Sequence, residues 1–175
     1  MKQLRRLLLQ IKCKRKGVYY KISKTLRLRK SISFIINKRD KNSILIGENV
    51  EIRALSYIEL SGNLSIGNNS VIGFNNSIQC HGNLSIGNSV LIGPHVNIVT
   101  STHHHGASID LASSHLITGN VIIKDNAWIG AGVTIIKGVT IGQNSVVGAN
   151  SLVNRNVPEN TIYAGIPAKL IKNIN

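Results

Sequence analysis

The chain has 175 residues, enough for one domain with a buried core, and 42% of them are hydrophobic although only 4% are aromatic. The formal net charge is +14, yet residues 1–44 hold fifteen of the 21 Lys and Arg residues and one of the seven acids, so the remainder is neutral. This distribution argues against nucleic acid as a partner, because a nucleic-acid-binding domain needs a basic face on its folded body.

Residues 1–44 are predicted to form a separate basic segment that is partly helical. Leu4, Leu7, Leu8 and Ile11 recur at helical spacing among basic residues. This pattern is compatible with an amphipathic helix on an anionic membrane surface. It is equally compatible with a cap over the open first coil of a repeat structure. The two interpretations are not exclusive, and both stay open.

From residue 46 onward, apolar anchor residues recur every six positions and are often followed by glycine. The anchors are Ile46, Ile52, Ile58, Ile66, Ile72, Ile78, Ile86, Ile92 and Ile98, and then Ile123, Ile129, Ile135, Ile141, Val147 and Val153. A period of six is neither helical nor a simple alternation, and it indicates a short strand plus a corner. Three such units close a triangular coil of about 18 residues, and stacked coils make a parallel β-helix. The sequence therefore predicts an all-β solenoid over residues 45–172, followed by a short C-terminal helix.

The repeat is interrupted by a segment that we expect to protrude at residues 99–119. Ile98 and Ile123 lie 25 residues apart, where the matching steps between coils take eight. The segment begins with His103, His104 and His105, and a long loop that leaves a solenoid usually serves function. We predict no metal site, since consecutive side chains point in different directions and no Cys or Glu lies near them.

Residues 44–172 resemble the hexapeptide-repeat acyltransferases. The resemblance rests on "LIGPHVNIVTSTH" (91–103) and "VIIKDNAWIGAGVTIIKGVTIGQNSVVGANSLVNRNVPENTIYAGIPAKLIK" (121–172). It is closest to the galactoside/maltose O-acetyltransferases and the capsule, O-antigen and exopolysaccharide O-acetyltransferases. It implies a left-handed parallel β-helix with triangular coils, a homotrimer and acetyl-CoA as co-substrate. It also implies a cytoplasmic enzyme, and the basic segment could attach it to the inner face of the membrane.

The resemblance further implies that one loop histidine is the general base. An ungapped count from Pro94 indicates His103, whereas counting back from Trp128 indicates His104. His105 is the third candidate, because some polysaccharide-modifying relatives read His-x-His there. An imidazole can accept the proton of a sugar hydroxyl as the hydroxyl attacks the thioester. A backbone carbonyl or the loop acid Asp110 is expected to orient this base.

The remaining site residues are also implied by the resemblance. Those expected to contact the CoA moiety are Trp128, Ala131, Ala149, Asn154, Lys169 and Lys172. Asn75 or its neighbour Asn76 is expected to hold the acceptor sugar. The galactoside/maltose enzymes grip their acceptor with an acid in a folded N-terminal region, where this chain has only Asp40.

The resemblance thus implies an acetyl-CoA-dependent O-acetyltransferase that acts on a sugar hydroxyl of a surface polysaccharide or of its lipid-linked precursor. An amino-sugar N-acetyltransferase and a serine O-acetyltransferase are alternatives that differ only in the acceptor. A non-catalytic solenoid scaffold is an alternative of another class.

Overall fold

A computed structural model of the chain describes residues 2–37, 42–108 and 110–175. It consists of helix α1 (Lys2–Arg15) and a left-handed parallel β-helix of about seven turns, as predicted. The short strands of each turn hydrogen-bond in parallel to the strands of the turns above and below. We call these turns coils 1 to 7, counted from the N-terminus.

Each complete coil contributes three strands. Coil 1 has β1 (Tyr19–Ile22), β2 (Arg27–Leu28) and β3 (Ser33–Ile36), and coil 2 has β4 (Ser43–Ile46), β5 (Glu51–Ile52) and β6 (Tyr57–Leu60). Coil 3 has β7 (Asn63–Ile66), β8 (Val71–Ile72) and β9 (Ser77–Cys80), and coil 4 has β10 (Asn83–Ile86), β11 (Leu91–Ile92) and β12 (Asn97–Val99). A hairpin of β13 (Ser101–His103) and β14 (Leu116–Thr118) follows. Coil 5 has β15 (Val121–Ile123), β16 (Trp128–Ile129) and β17 (Thr134–Ile135), and coil 6 has β18 (Thr140–Ile141), β19 (Val146–Val147) and β20 (Leu152–Val153). The last strands are β21 (Thr161–Gly165) and β22 (Ala168–Asn173).

The strands form three walls of a triangular prism. Wall A is ordered β1-β4-β7-β10-β15-β18, and wall C is ordered β3-β6-β9-β12-β17-β20. Wall B is ordered β2-β5-β8-β11-β16-β19-β21-β22. The chain thus runs from wall A to B to C in each coil. Two of the edges matter below, and we call them the B–C corner and the C–A corner.

The interior of the prism is a set of aliphatic ladders. All fifteen predicted anchors are buried, none of them more than 3% exposed. In wall C, for example, Ile58 pairs with Ile78 and Ile78 with Ile98, so like side chains stack directly on one another. Because the chain has few aromatic residues, its core is built from closely packed rows of aliphatic side chains. The predicted period of six is therefore confirmed as the repeat of the fold.

Strands begin before the predicted start of the solenoid. Ile22, Leu28 and Phe34 are buried at the same six-residue spacing, and β1 pairs with β4 along its whole length. The sequence signal was present but weaker, because these anchors are not uniformly isoleucine. The predicted boundary at residue 44 falls inside β4, and Lys38, Arg39, Asp40 and Lys41 lie outside the described residues.

Helix α1 covers the open end of coil 1. Its Leu9 and Cys13 are buried against the coil. Three of its cations donate hydrogen bonds to coil carbonyls: Arg5 to Leu28 (3.2 Å), Arg6 to Lys24 (2.6 Å) and Lys12 to Phe34 (2.8 Å). These bonds satisfy acceptors that would otherwise form an unpaired edge. Within the described residues, no helix has the length and apolarity needed to cross a bilayer.

The predicted C-terminal helix is wrong. Residues 161–173 instead form β21 and β22, an antiparallel pair that ends wall B. Gly165 has a φ of 105°, which a helix does not allow, and Pro167 supplies no backbone N–H. The turn that these residues make returns the chain antiparallel to β21 and adds one more strand to wall B.

Candidate active site

The histidine segment forms a hairpin that leaves the prism at the C–A corner, between β12 and β15. Its root is fixed by Thr100, which is fully buried. The Thr100 hydroxyl oxygen accepts hydrogen bonds from the backbone N–H groups of His81 and Gly82, each at 2.8 Å. The His81 ring also bonds the Ser101 hydroxyl at 2.9 Å. The hairpin therefore starts from a fixed point even though its far end is exposed.

His103 is held by a side chain on the returning side of its hairpin. Its Nδ1 lies 3.1 Å from the hydroxyl oxygen of Ser114, on the returning side of the hairpin. The Ser114 hydroxyl donates its one hydrogen to the carbonyl oxygen of Leu111 at 3.0 Å, so towards His103 it acts as an acceptor. In the neutral ring this arrangement favours the hydrogen on Nδ1, which leaves the lone pair on Nε2. An exposed imidazole with a free Nε2 can accept a proton from an approaching hydroxyl.

The other two histidines of the run are held differently. His105 Nδ1 lies 3.4 Å from the carbonyl oxygen of His103, a long contact at the exposed tip. The His104 ring stacks on His115 with a centroid distance of 5.1 Å and an interplanar angle of 14°. His104 directly follows the last residue of β13, and its backbone N–H bonds the carbonyl oxygen of His115 at 3.0 Å. The three rings do not converge, and the described part of the chain holds no cluster of three or more His, Cys, Asp or Glu side chains suited to a metal.

The partner that orients His103 was not anticipated. Asp110 accepts hydrogen bonds from the Ala112 N–H (3.1 Å) and the Ser113 hydroxyl (3.0 Å), so it stabilises its own turn. Ser114 takes the orienting position instead. Ser114 lies eleven residues from His103, and only the hairpin register brings the two together. No local signal in the sequence marks that register.

A second feature lies along the B–C corner, where an open groove of about 490 Å³ spans coils 2 to 6. Its walls include the exposed apolar side chains of Phe74, Leu91 and Trp128. The corner itself is built from tightly stacked glycine and alanine. A Cβ on Gly93 would lie 2.8 Å from the backbone nitrogen of Ala131, closer than real Cβ contacts allow. The groove is thus an apolar channel with backbone at its floor.

Three of the residues expected to contact CoA meet in this groove, namely Trp128, Ala131 and Ala149. Lys169 and Lys172 are exposed on β22, the last strand of the same wall B. Asn154 is exposed after β20, at the C–A corner rather than in the groove. Small side chains at the groove floor allow a ligand to approach the backbone closely.

The two candidate acceptor residues differ in their surroundings. Asn76 is 2% exposed. Its amide donates to the Gly73 carbonyl (2.9 Å) and accepts from the Val96 N–H (2.7 Å), so it is occupied inside the prism. Asn75 is exposed at the B–C corner beside Phe74, and its Nδ2 lies 3.0 Å from Nδ1 of His95. Only Asn75 is open to contact with a sugar.

Within one coil, the groove and the hairpin lie at opposite edges of wall C. That wall spans about five residues between the corners, or ~16 Å at the rise of a β-strand. His103 and the groove floor of the same coil are consequently separated by the width of the wall.

The chain is similar in sequence to known transferases. Residues 120–155 match the family described as "Bacterial transferase hexapeptide (six repeats)". The chain is 33% identical over 55 residues to WbbJ of Escherichia coli (strain K12), a provisionally named lipopolysaccharide biosynthesis O-acetyl transferase. That match covers 31% of this chain and 28% of WbbJ, so it spans less than a third of that relative.

Among the solved structures that match, two examples cover most of the chain. A point mutant of AntD, an N-acyltransferase from Bacillus cereus in complex with dTDP-4-amino-4,6-dideoxyglucose and coenzyme A, superposes with a TM-score of 0.76 and 26% identity. The match covers 95% of this chain and 89% of AntD. A maltose O-acetyltransferase from Clostridium difficile 630 gives a TM-score of 0.64 at 28% identity, over 89% of this chain and 71% of that enzyme.

Proposed function

We propose that this chain, which carries a hexapeptide-repeat transferase domain, is an acetyl-CoA-dependent acetyltransferase that esterifies a sugar hydroxyl. The observation that supports this most strongly is the His103–Ser114 pair, because it presents an imidazole Nε2 as a free base on a protruding hairpin. The apolar groove at the B–C corner is suited to the pantetheine arm of CoA, with Ala131 and Ala149 at its floor. We propose that Lys169 and Lys172, exposed on the last strand of the same wall, bind the phosphates of CoA as point charges.

The proposed reaction needs no acyl-enzyme. Nε2 of His103 takes the proton of the acceptor hydroxyl as its oxygen attacks the thioester carbonyl carbon. A new C–O bond forms, and backbone N–H groups of a corner stabilise the negative oxygen of the tetrahedral intermediate. The C–S bond then breaks, and the imidazolium returns its proton to the departing CoA sulfur. Acetyl ester and free CoA are the products.

We further propose that the active unit is a homotrimer. The support is the separation of the hairpin from the groove within one coil, since a site built across a subunit boundary would bring both to one place. Leu91, Trp128 and Phe74 would lose their exposure at such a boundary, and burial of aromatic and aliphatic side chains is typical of obligate interfaces. A monomer that is fully active on its own would contradict this part of the proposal.

The acceptor class follows from likeness alone. WbbJ is named for lipopolysaccharide biosynthesis, and we propose a surface polysaccharide, or its lipid-linked precursor, for this chain as well. An amino sugar is a second candidate, favoured by the similarity to AntD over nearly the whole chain. The two acceptors differ in whether an oxygen or a nitrogen attacks the thioester. A general base such as His103 matters more for a hydroxyl, because a free amine is the better nucleophile.

Helix α1 supports a peripheral contact with the cytoplasmic face of a membrane. Its Leu4, Leu7, Leu8 and Ile11 are exposed on the side opposite the buried Leu9. The exposed Lys14, Arg15 and Lys16 border this apolar row, and each such cation contributes about 1 kcal/mol near an anionic surface. Flotation with vesicles of phosphatidylglycerol and phosphatidylcholine tests this contact. We expect Leu4→Gln with Leu8→Gln to abolish flotation, whereas the exposed Leu170→Gln should leave it unchanged.

The central experiment measures thiol release from acetyl-CoA with a panel of neutral and amino sugars. We expect His103→Ala to lower kcat/KM by about 10²–10⁴, with CoA affinity and melting temperature unchanged. His104→Ala and His105→Ala are the matched controls. Loss of activity in His105→Ala but not in His103→Ala would move the base to the tip of the hairpin. Full activity in all three variants would contradict the proposed mechanism.

A further inference from the structure

The groove at the B–C corner continues towards the N-terminal end of the prism into a second depression. This depression, of about 440 Å³, is lined by Arg29, Lys30, Glu51, Arg53, Ala54 and Phe74. Arg53 and Phe74 line both spaces, so the two form one continuous channel. The channel is apolar along coils 3 to 6 and cationic at coils 1 and 2.

The cationic end is organised around one carboxylate. Glu51 lies 2.9 Å from Nη2 of Arg29, 3.5 Å from Nε of Arg53 and 3.9 Å from Nη1 of Arg27. Lys30 adds a fourth positive charge beside them. We call Arg27, Arg29, Lys30 and Arg53 the arginine cluster. With one acid against four bases, the cluster keeps three surplus positive charges.

Glu51 and Phe74 hold the arginine side chains in defined positions. The partial burial of Glu51 raises the pKa of its carboxyl, but the hydrogen bond and charge of Arg29, with the charges of Arg53 and Arg27, outweigh this and hold the pKa below its usual value. The carboxylate therefore stays ionised and keeps the guanidinium groups in place. Arg53 also lies over the ring of Phe74, 5.4 Å from its centroid. These contacts use only part of the donor capacity of each guanidinium, which has five N–H groups.

One cation is enough to pair with one carboxylate, so the cluster holds more arginines than Glu51 requires. Three guanidinium groups that converge on one carboxylate repel each other, and that repulsion is relieved when a second anion binds. The side chains of Arg27, Arg29 and Arg53 are all partly exposed, so their free N–H groups are open to solvent. A planar fork of donors matches phosphate oxygens in pairs.

The position of the cluster excludes it from the expected place of the CoA phosphates. Lys169 and Lys172 lie on β22 at the C-terminal end of wall B, whereas the arginine cluster lies on coils 1 and 2. The hairpin with His103 leaves from coil 4, between these ends. Coils are spaced ~4.8 Å apart, so Arg53 lies about two coils, or ~10 Å, below the level of the base. This offset is measured along the prism axis. At the proposed subunit boundary, where the hairpin of one chain would meet the groove of another, it suits a sugar whose hydroxyl is at the base and whose anomeric phosphate reaches the cluster.

We propose that the arginine cluster binds the phosphate or diphosphate of the acceptor, so that the acceptor is a sugar esterified to phosphate rather than a neutral free sugar. This inference rests on the proposed function, since it names the substrate class of the same site. The ester has two possible sources, a nucleoside diphosphate and a prenyl diphosphate lipid. Their shared group is a diphosphate on the anomeric carbon of the sugar.

The test compares acceptors that share one sugar and differ in the anomeric group. They are the free sugar, its 1-phosphate, its nucleoside diphosphate ester and its short-chain prenyl diphosphate ester, together with the matching uronic acid. We expect Arg53→Gln and Arg29→Gln each to raise KM for the phosphorylated acceptors about tenfold to a hundredfold, with little change in kcat. The exposed Arg155→Gln, on coil 6, is the control and should match the wild type. Preference for either diphosphate ester supports the proposal, and the preferred one identifies the source.

Three results would overturn the inference. One is that the free sugar or the uronic acid is used as well as the phosphorylated forms. Another is that Arg53→Gln weakens binding of CoA itself, which would assign the cluster to the donor. The third concerns binding alone: in isothermal titration with inorganic pyrophosphate we expect binding by the wild type and its loss in Arg53→Gln, so equal binding by both proteins, or by neither, would contradict the inference. If no acceptor is acetylated, the proposed function fails, but this titration still decides whether the cluster binds phosphate groups.

Discussion

Strand β12 of wall C and the hairpin follow one another along the chain, but the side chains of the wall are buried and those of the hairpin are largely exposed. In wall C, Ile58, Ile78 and Ile98 stack on one another and are at most 1% exposed. In the hairpin, His103 and His105 are exposed, and they are held by hydrogen bonds within the hairpin itself. Thr100 marks the border between the two regions, buried and bonded to the coil below. The comparison teaches that the repeat carries the buried core and the interruption carries exposed polar side chains, so mutations should separate stability from the proposed activity.

The largest effect on stability is expected in the middle of wall C. Ile78→Ala removes buried methyl groups from the centre of a ladder, and we expect it to lower the free energy of unfolding by about 2–5 kcal/mol. Leu111→Ala, on the exposed turn of the hairpin, is the control and should change it by less than about 0.5 kcal/mol. Urea denaturation followed by circular dichroism measures both. Equal losses in the two variants would break the comparison between wall and hairpin.

A smaller loss is expected at the corner of coil 3, where two neighbouring asparagines have different surroundings. Asn76→Ala leaves the buried N–H of Val96 and the carbonyl of Gly73 without these partners, at a cost of about 1–3 kcal/mol. Asn75 is exposed and has a φ of 54°, which glycine adopts without strain. Asn75→Gly should therefore unfold at nearly the same urea concentration as the wild type. An unaltered midpoint for Asn76→Ala would show that this buried amide is dispensable.

The hairpin should show the reverse behaviour, with activity affected and stability unchanged. Ser114→Ala removes the acceptor that holds Nδ1 of His103, and we expect kcat/KM to fall about twofold to tenfold. Ser113→Ala is matched to it, since Ser113 bonds Asp110 and not the histidine. Both variants should keep the melting temperature of the wild type. The same activity in Ser113→Ala and Ser114→Ala would mean that Ser114 does not orient the base.

The smallest effect is expected from acid, at the A–B edge of coil 5. Asp125 accepts hydrogen bonds from the backbone N–H (2.8 Å) and the side chain (3.1 Å) of Asn88, and these lower the pKa of its carboxyl. A lowered pKa in the folded state adds stability above the usual aspartate value of about 4, and that contribution is lost as pH falls through the folded pKa. We expect Asp125→Asn to reduce stability slightly at pH 7 and to approach the wild type below about pH 4. Denaturation curves at both pH values check the sign, and a difference that grows in acid would contradict it.

The regular part of the fold was predictable because each anchor makes the same demand on the sequence. Ile46 to Val153 recur at a spacing that only one architecture satisfies, and Ile22, Leu28 and Phe34 obey it too, although their variety concealed it. The C-terminal strands could not be read in this way, since β22 runs antiparallel and follows no period. His103 stood out because it begins the interruption. Ser114 did not, because its role depends on which residues face each other across the hairpin.

The arginine cluster illustrates a third case. Arg29 and Glu51 are 22 residues apart and Arg53 follows two residues later, so nothing local joins them. Once the coil length is known, however, these positions fall on adjacent coils of the same corner, as the pairing of Arg27 with Glu51 shows. Distance along the chain therefore conceals a cluster that the repeat makes close. Comparing residues that lie one coil apart in the sequence would have revealed the cluster.

The two end pieces of the prism have a consequence beyond their local contacts. A solenoid has no intrinsic limit to growth, because its terminal coil offers the same backbone donors and acceptors as every coil before it. Here α1 occupies the carbonyls of coil 1, and the antiparallel β22 finishes wall B at the other extremity. Both features cover part of an end face, so they work against the end-to-end stacking that a fully open coil would favour.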